Sequence, residues 1–148
     1  QDSDANGLED WFEARYYGNT AVPPAAEDTD GDRRSNAAEQ TAGTDPTRAS
    51  DVFKLSDAVS TTGGVMTEFK MTITTQPGRI YAIEFTDALM PSNTVWTGFS
   101  NTANGVGRWV ETNVVPAVFT FVDDFSLATS GEPQSGTVRN YRVLVSRP

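Results

Sequence analysis

The sequence predicts a mainly β protein: an antiparallel β-sandwich over residues 51–148, preceded by two loop–short helix units over residues 1–50. Three observations carry that expectation. Residues 2–13 and 28–39 are acidic stretches whose oxygen-bearing side chains stand in the same register, 26 residues apart. From residue 51 onward apolar and polar residues alternate in short runs, the period of a strand with one buried face. Clusters of Gly, Pro, Asn and Ser separate those runs, as in antiparallel all-β domains.

The first stretch places Asp2, Asp4, Asn6, Asp10 and Glu13 at positions 1, 3, 5, 9 and 12 of a twelve-residue loop. The second places Asp28, Asp30, Asp32, Asn36 and Glu39 at the same positions. That is the spacing of a calcium loop, in which position 7 adds a backbone carbonyl, here from Leu8 and Arg34, and position 12 a bidentate glutamate. Calcium is a hard cation taking about six to eight oxygens, and carboxylates at alternate loop positions can converge on one point. At least two calcium ions are expected. Position 6 turns sharply and favours glycine; Gly7 meets that demand and Arg33 does not. The first loop is therefore expected to bind more tightly. Asp45 is read as initiating the turn at residues 44–47, with a reach to metal as the alternative.

Leu8, Trp11, Phe12, Arg15 and Tyr16 follow helical spacing, so a short amphipathic helix is expected to leave the first loop and stop at Gly18. Residues 22–26, with two consecutive prolines, read as a stiff extended connector. A weaker helix follows the second loop and stops at Gly43. Helices this short are marginal alone, so metal and packing must hold them.

Val65, Thr67, Phe69, Met71 and Ile73 alternate with Met66, Glu68, Lys70 and Thr72, and Tyr81, Ile83 and Phe85 repeat the pattern, as do Phe119 with Phe121, and Tyr141, Val143 and Val145. Residues 52–55, 95–99 and 107–112 are shorter strand candidates. Trp96 and Trp109 read as sheet-packing residues.

Charge divides the chain. Residues 1–51 hold 12 Asp/Glu against 4 Arg, and residues 52–148 hold 8 against 7, so nearly all of the net −9 sits beside the loops. A solvated acidic tail would share that charge but not the regular ligand spacing or the embedded aromatic residues. Cysteine is absent, so stabilisation must come from elsewhere, and a cation that binds only the folded state can supply it. Weak calcium sites fill at the millimolar calcium found outside cells, which points to an extracellular or cell-surface location. Gln1 fits a mature N-terminus left by signal removal, and equally a cut end. No apolar run approaches the roughly 18 residues of a membrane span. Membrane insertion is therefore not expected, and the acidic balance disfavours nucleic acid and anionic membrane surfaces as partners.

Residues 2–18, then Asp28 to Asp32, then residues 42–47 (Ala-Gly-Thr-Asp-Pro-Thr) resemble the thrombospondin type 3-like calcium repeats of secreted bacterial proteins. The resemblance covers about 50 residues, and it implies that these oxygens hold calcium structurally, without catalysis. Residues 78–89, Trp96 and residues 141–143 look like a C-terminal sandwich module that follows such repeats, which implies a fibronectin-like fold.

Histidine and cysteine are both absent, removing the usual bases, thiol nucleophiles and zinc ligands. The acids outside the loops are scattered, and no glycine-rich phosphate loop is present. The sequence thus predicts no enzyme. It predicts a secreted, calcium-stabilised structural or interaction protein that self-associates, in the extreme case head to tail into an extracellular surface fibre. The alternative is a carbohydrate-binding or spacer module of a larger secreted hydrolase, with exposed tryptophans stacking on polysaccharide.

Overall fold

The computed structural model describes residues 1–19, 23–63, 65–90, 92–99, 108–126, 130–131, 133 and 138–148. They form two compact units, Gln1–Phe53 and Lys54–Pro148. The architecture is mainly β, with two antiparallel sheets and two short helices.

In the first unit, helix α1 spans Asp10–Tyr16 and α2 spans Asn36–Ala42. Each begins at position 9 of its loop. Each also closes in the same way: the carbonyl of the position-12 glutamate accepts two N–H groups, from Tyr17 and Gly18 in one case and from Gly43 and Thr44 in the other. Gly18 and Gly43 sit at φ of 76° and 85°, left-handed conformations that end a helix at little cost in a residue without Cβ. The Ser35 hydroxyl caps α2 by accepting from the Ala38 N–H. Leu8 and Phe12 are fully buried and make the small core of this unit, while Trp11 stays 46% exposed. The connector is not extended throughout. The Glu27 N–H donates to the Pro24 carbonyl, so residues 24–27 form a turn.

In the second unit, β1 (Leu55–Thr62), β2 (Val65–Thr75) and β6 (Ala117–Asp123) form one sheet in the order β1-β2-β6. In the other sheet, β3 (Ile80–Thr86) pairs with β7 (Asn140–Ser146) on one edge and with the short β4 (Thr97–Gly98) and β5 (Arg108–Val110) on the other. Register aligns the alternating residues: Met71 faces Phe121, Ile73 faces Phe119, and Tyr81 faces Val145. The two sheets meet through aromatic side chains. Phe69 stacks on Tyr141 at 4.0 Å, Trp109 lies 4.1 Å from Phe119, and Phe99 lies 4.6 Å from Phe121. The arrangement is sandwich-like, and its core contains Met71, Ile73, Tyr81, Ile83 and Phe121, none more than 2% exposed.

The alternating runs of β2, β3, β6 and β7 are strands as expected. β1 departs from expectation, starting at Leu55 and running to Thr62 rather than covering 52–55. Its sequence carries few apolar residues because β1 lies at the edge of its sheet: Leu55 and Val59, in register with Ile73 and Phe69, remain about half exposed. Of the 95–99 and 107–112 candidates, only Thr97–Gly98 and Arg108–Val110 pair as strand, and residues 100–107 lie outside the described ones.

A buried polar cluster holds the end of β6 to the start of β7. Arg139, its side chain 4% exposed, grips Asp87 with two bonds of 2.6 and 2.7 Å and reaches Asp123 at 3.4 Å. Asp123 also accepts from the Ser130 and Tyr141 hydroxyls and from the Phe125 N–H. Bonds to Arg139 hold the Asp87 carboxyl below the usual carboxylate range. The residues of this cluster satisfy one another, which is what burial of charge requires.

Candidate metal centre

Both loops fold around the same set of hydrogen bonds. The carboxylate at position 1 accepts from the position-6 N–H: Asp2 from Gly7 at 3.0 Å, Asp28 from Arg33 at 2.8 Å. Position 3 accepts from the position-5 N–H, Asp4 from Asn6 and Asp30 from Asp32. Position 5 accepts from the position-7 N–H, Asn6 from Leu8 and Asp32 from Arg34. In Asp30 and Asp32 one oxygen thereby ties the loop and leaves the other to turn inward, whereas both oxygens of Asp28 accept from the loop, from the Gly31 and Arg33 N–H groups. Short Asp and Asn side chains favour such local turns, and this is why the acidic spacing folds as a loop before any helix begins.

Among the described residues the carboxylates converge only in the second loop, where Asp28, Asp30 and Asp32 bring one oxygen each within 4.8 Å of one another, a cluster that could hold a metal ion; the acids of the first loop, Asp2, Asp4, Asp10 and Glu13, form no such group. Glu39, only 1% exposed, takes one weak bond from the Thr44 hydroxyl at 3.4 Å on its Oε1. Its Oε2 is buried with no hydrogen-bond partner, as are Asp30 Oδ2 and Asp32 Oδ2. Burial, and then the charges of Asp30 and Asp32, push the Glu39 carboxyl up to about 7 from its ordinary 4.5. In the first loop, the fully buried Glu13 receives the Asn6 amide on Oε1 at 2.6 Å, and its Oε2 has no partner.

Position 9 has a different role. Both oxygens of Asp10 accept from Ser3, from its N–H at 2.7 Å and its hydroxyl at 2.6 Å, and these bonds hold Asp10 below the usual carboxylate range. Asn36, fully buried, accepts from the Thr29 hydroxyl and donates to the Pro24 carbonyl. Each position-9 side chain thus clamps the residue at position 2 of its own loop. Ser3 and Thr29 are hydroxyl residues in matching register, and that repeat is the sequence signal of the clamp. The Asp45 carboxylate accepts from the Thr47 N–H and hydroxyl, the bonding of a turn initiator.

The backbone alters the expected ranking of the loops. Arg33 does adopt a positive φ of 76°, where Gly7 has 93°. Position 4 demands the same conformation, however, and there the first loop carries Ala5 at 60° where the second has Gly31 at 81°. Each loop therefore holds one non-glycine residue in the left-handed region, and Arg33 alone gives no reason to rank the first loop above the second.

The tryptophans occupy different settings. Trp109 stacks on Tyr81 and lies tilted against Phe119, and the Arg142 guanidinium covers the Trp96 ring at 4.3 Å. Trp11 donates its indole N–H to Glu9. Among the described residues no helix is long and apolar enough to cross a membrane. No protein-family model matches the chain, and neither a curated protein nor a solved structure matches it at a significant level.

Proposed function

We propose that residues 1–53 bind two calcium ions, one in each loop, as the stabilising element of a secreted, non-catalytic structural or interaction protein. The observation that carries this is the set of four buried, unpartnered carboxylate oxygens: Glu13 Oε2, Asp30 Oδ2, Asp32 Oδ2 and Glu39 Oε2. They stand at positions 12, 3, 5 and 12 of the two loops. A buried carboxylate oxygen without a partner costs free energy on the order of kcal/mol, and a divalent cation bound between them removes that cost.

The donors are all oxygens, which suits a hard cation, and a cage built mostly from protein groups suits calcium better than magnesium, which keeps several waters. Asp2, Asp4, Asn6, Glu13 and the Leu8 carbonyl would hold the first ion. Asp28, Asp30, Asp32, Glu39 and the Arg34 carbonyl would hold the second. The likeness of these loops to thrombospondin type 3-like repeats agrees with a structural use of the metal. Self-association would draw on β1, which among the described residues is an edge strand of its sheet and carries the half-exposed Leu55 and Val59.

Calorimetric titration of the metal-stripped full chain tests the proposal. Two binding events are expected, with one lost in each of Glu13→Ala and Glu39→Ala. Hydrogen exchange with and without chelator should show residues 1–53 losing protection while the strands keep theirs. A titration without heat, or identical protection in both conditions, would refute it.

A further inference from the structure

The two loops are joined through Ala25, Glu27, Gln40 and Tyr17, none of them a ligand in either. The backbone carbonyl of Asn6, at position 5 of the first loop, accepts from the Ala25 N–H at 3.2 Å. The Ala25 carbonyl in turn accepts from the Ala37 N–H at 2.9 Å, and the Glu27 carbonyl from the Asn36 N–H at 2.7 Å, both in the first turn of α2. A second brace runs from the Gln40 side chain on α2, which accepts from the Glu9 N–H at 2.7 Å. A third runs from Tyr17, just past α1, whose hydroxyl lies 3.1 Å from the Thr29 hydroxyl, itself bonded to Asn36. The fit is also tight in space. A Cβ added to Gly7 would stand 2.8 Å from the Ala25 Cβ.

From this we infer that the loops act as one coupled unit: a cation in either loop tightens binding in the other, through the turn at residues 24–27 and the Gln40 brace. The inference rests on the calcium reading above and adds regulation to it. The physical argument is one of shared ordering. A cation that draws Asp2, Asp4 and Glu13 together fixes the backbone of residues 6 and 7. Through Ala25 this fixes the turn that seats the first residues of α2 and so aims Glu39 at Asp30 and Asp32. The second cation then binds a loop whose ordering is already in place.

Thermodynamic coupling is reciprocal, and this makes the test sharp. Full-length chain is titrated with calcium chloride by calorimetry. In Asp28→Asn/Asp30→Asn, which disables the second loop, affinity at the first should fall by about fivefold or more, the lower end of typical coupling. In Asp2→Asn/Asp4→Asn, affinity at the second should fall by the same factor. Gln40→Leu, close in size and outside both ligand sets, should keep two binding events with a smaller factor. Gly7→Ala should weaken both sites, and adding Ala25→Gly should restore the second site alone, because the clash is relieved while the strain at Gly7 remains. Equality of the two factors separates coupling from local damage. Two independent events with unaltered affinities would overturn the coupling and leave the calcium reading standing. Absence of any binding to the unmodified chain would overturn both.

Discussion

Replacing Glu39 with glutamine should stabilise the chain without calcium and lose nearly all of that advantage with calcium. In the cation-free chain, burial beside Asp30 and Asp32 raises the Glu39 carboxyl from 4.5 to about 7. At about 1.36 kcal/mol per pH unit, that places roughly 3 kcal/mol of charge penalty on the folded state at pH 8. The sign follows from proton uptake. Between about 4.5 and 7 the folded chain binds more protons at this site than the unfolded chain, so stability falls as pH rises through that window. Asp10 and Asp87, both held low, titrate below it. Glu39→Gln keeps the size and abolishes the charge. With chelator at pH 8 the variant should therefore be more stable than the unmodified chain, by up to about 3 kcal/mol, and the two should converge below about pH 4.5. With calcium at about a hundredfold excess over Kd, the unmodified chain gains about 2.7 kcal/mol per site. The variant, lacking a bidentate ligand, should forgo most of that at the second loop. Urea titrations read by pulse proteolysis within residues 1–53 supply the four numbers required. Equal destabilisation of the variant with and without calcium would refute the reasoning, since Glu39 would then be an ordinary buried acceptor.

Ala5→Gly and Arg33→Gly should each stabilise the calcium-loaded first unit by up to about 1 kcal/mol, as relief of left-handed strain outweighs added chain entropy; thermal melts in calcium check this. Arg139→Ala should cost about 3–5 kcal/mol, because it leaves the fully buried Asp123 uncompensated, and the loss in a urea titration of the second unit should not depend on calcium. Light scattering at high protein concentration and millimolar calcium should show association that Val59→Lys on β1 abolishes; a single monomeric species throughout would leave the self-association proposal without support.

The sequence by itself determined the local features of this protein. Asp and Asn at alternate positions direct their own loop through bonds to neighbouring N–H groups, so the paired loops, a short helix with each, and stops at Gly18 and Gly43 were legible from spacing. The period-two runs of β2, β3, β6 and β7 were legible for a similar reason, since one face of each strand must be apolar to be buried. Only the tertiary structure decided the rest. β1 pairs through its backbone at a sheet edge, and an edge strand needs little apolar sequence. The turn at residues 24–27 exists because Asn6 and Ala37 bond to Ala25 from two different loops. Asp10 and Asn36 share the spacing of ligands, yet their bonds run to Ser3 and Thr29. Spacing gives the distance along the chain, and the direction of a side chain depends on which neighbour reaches it first.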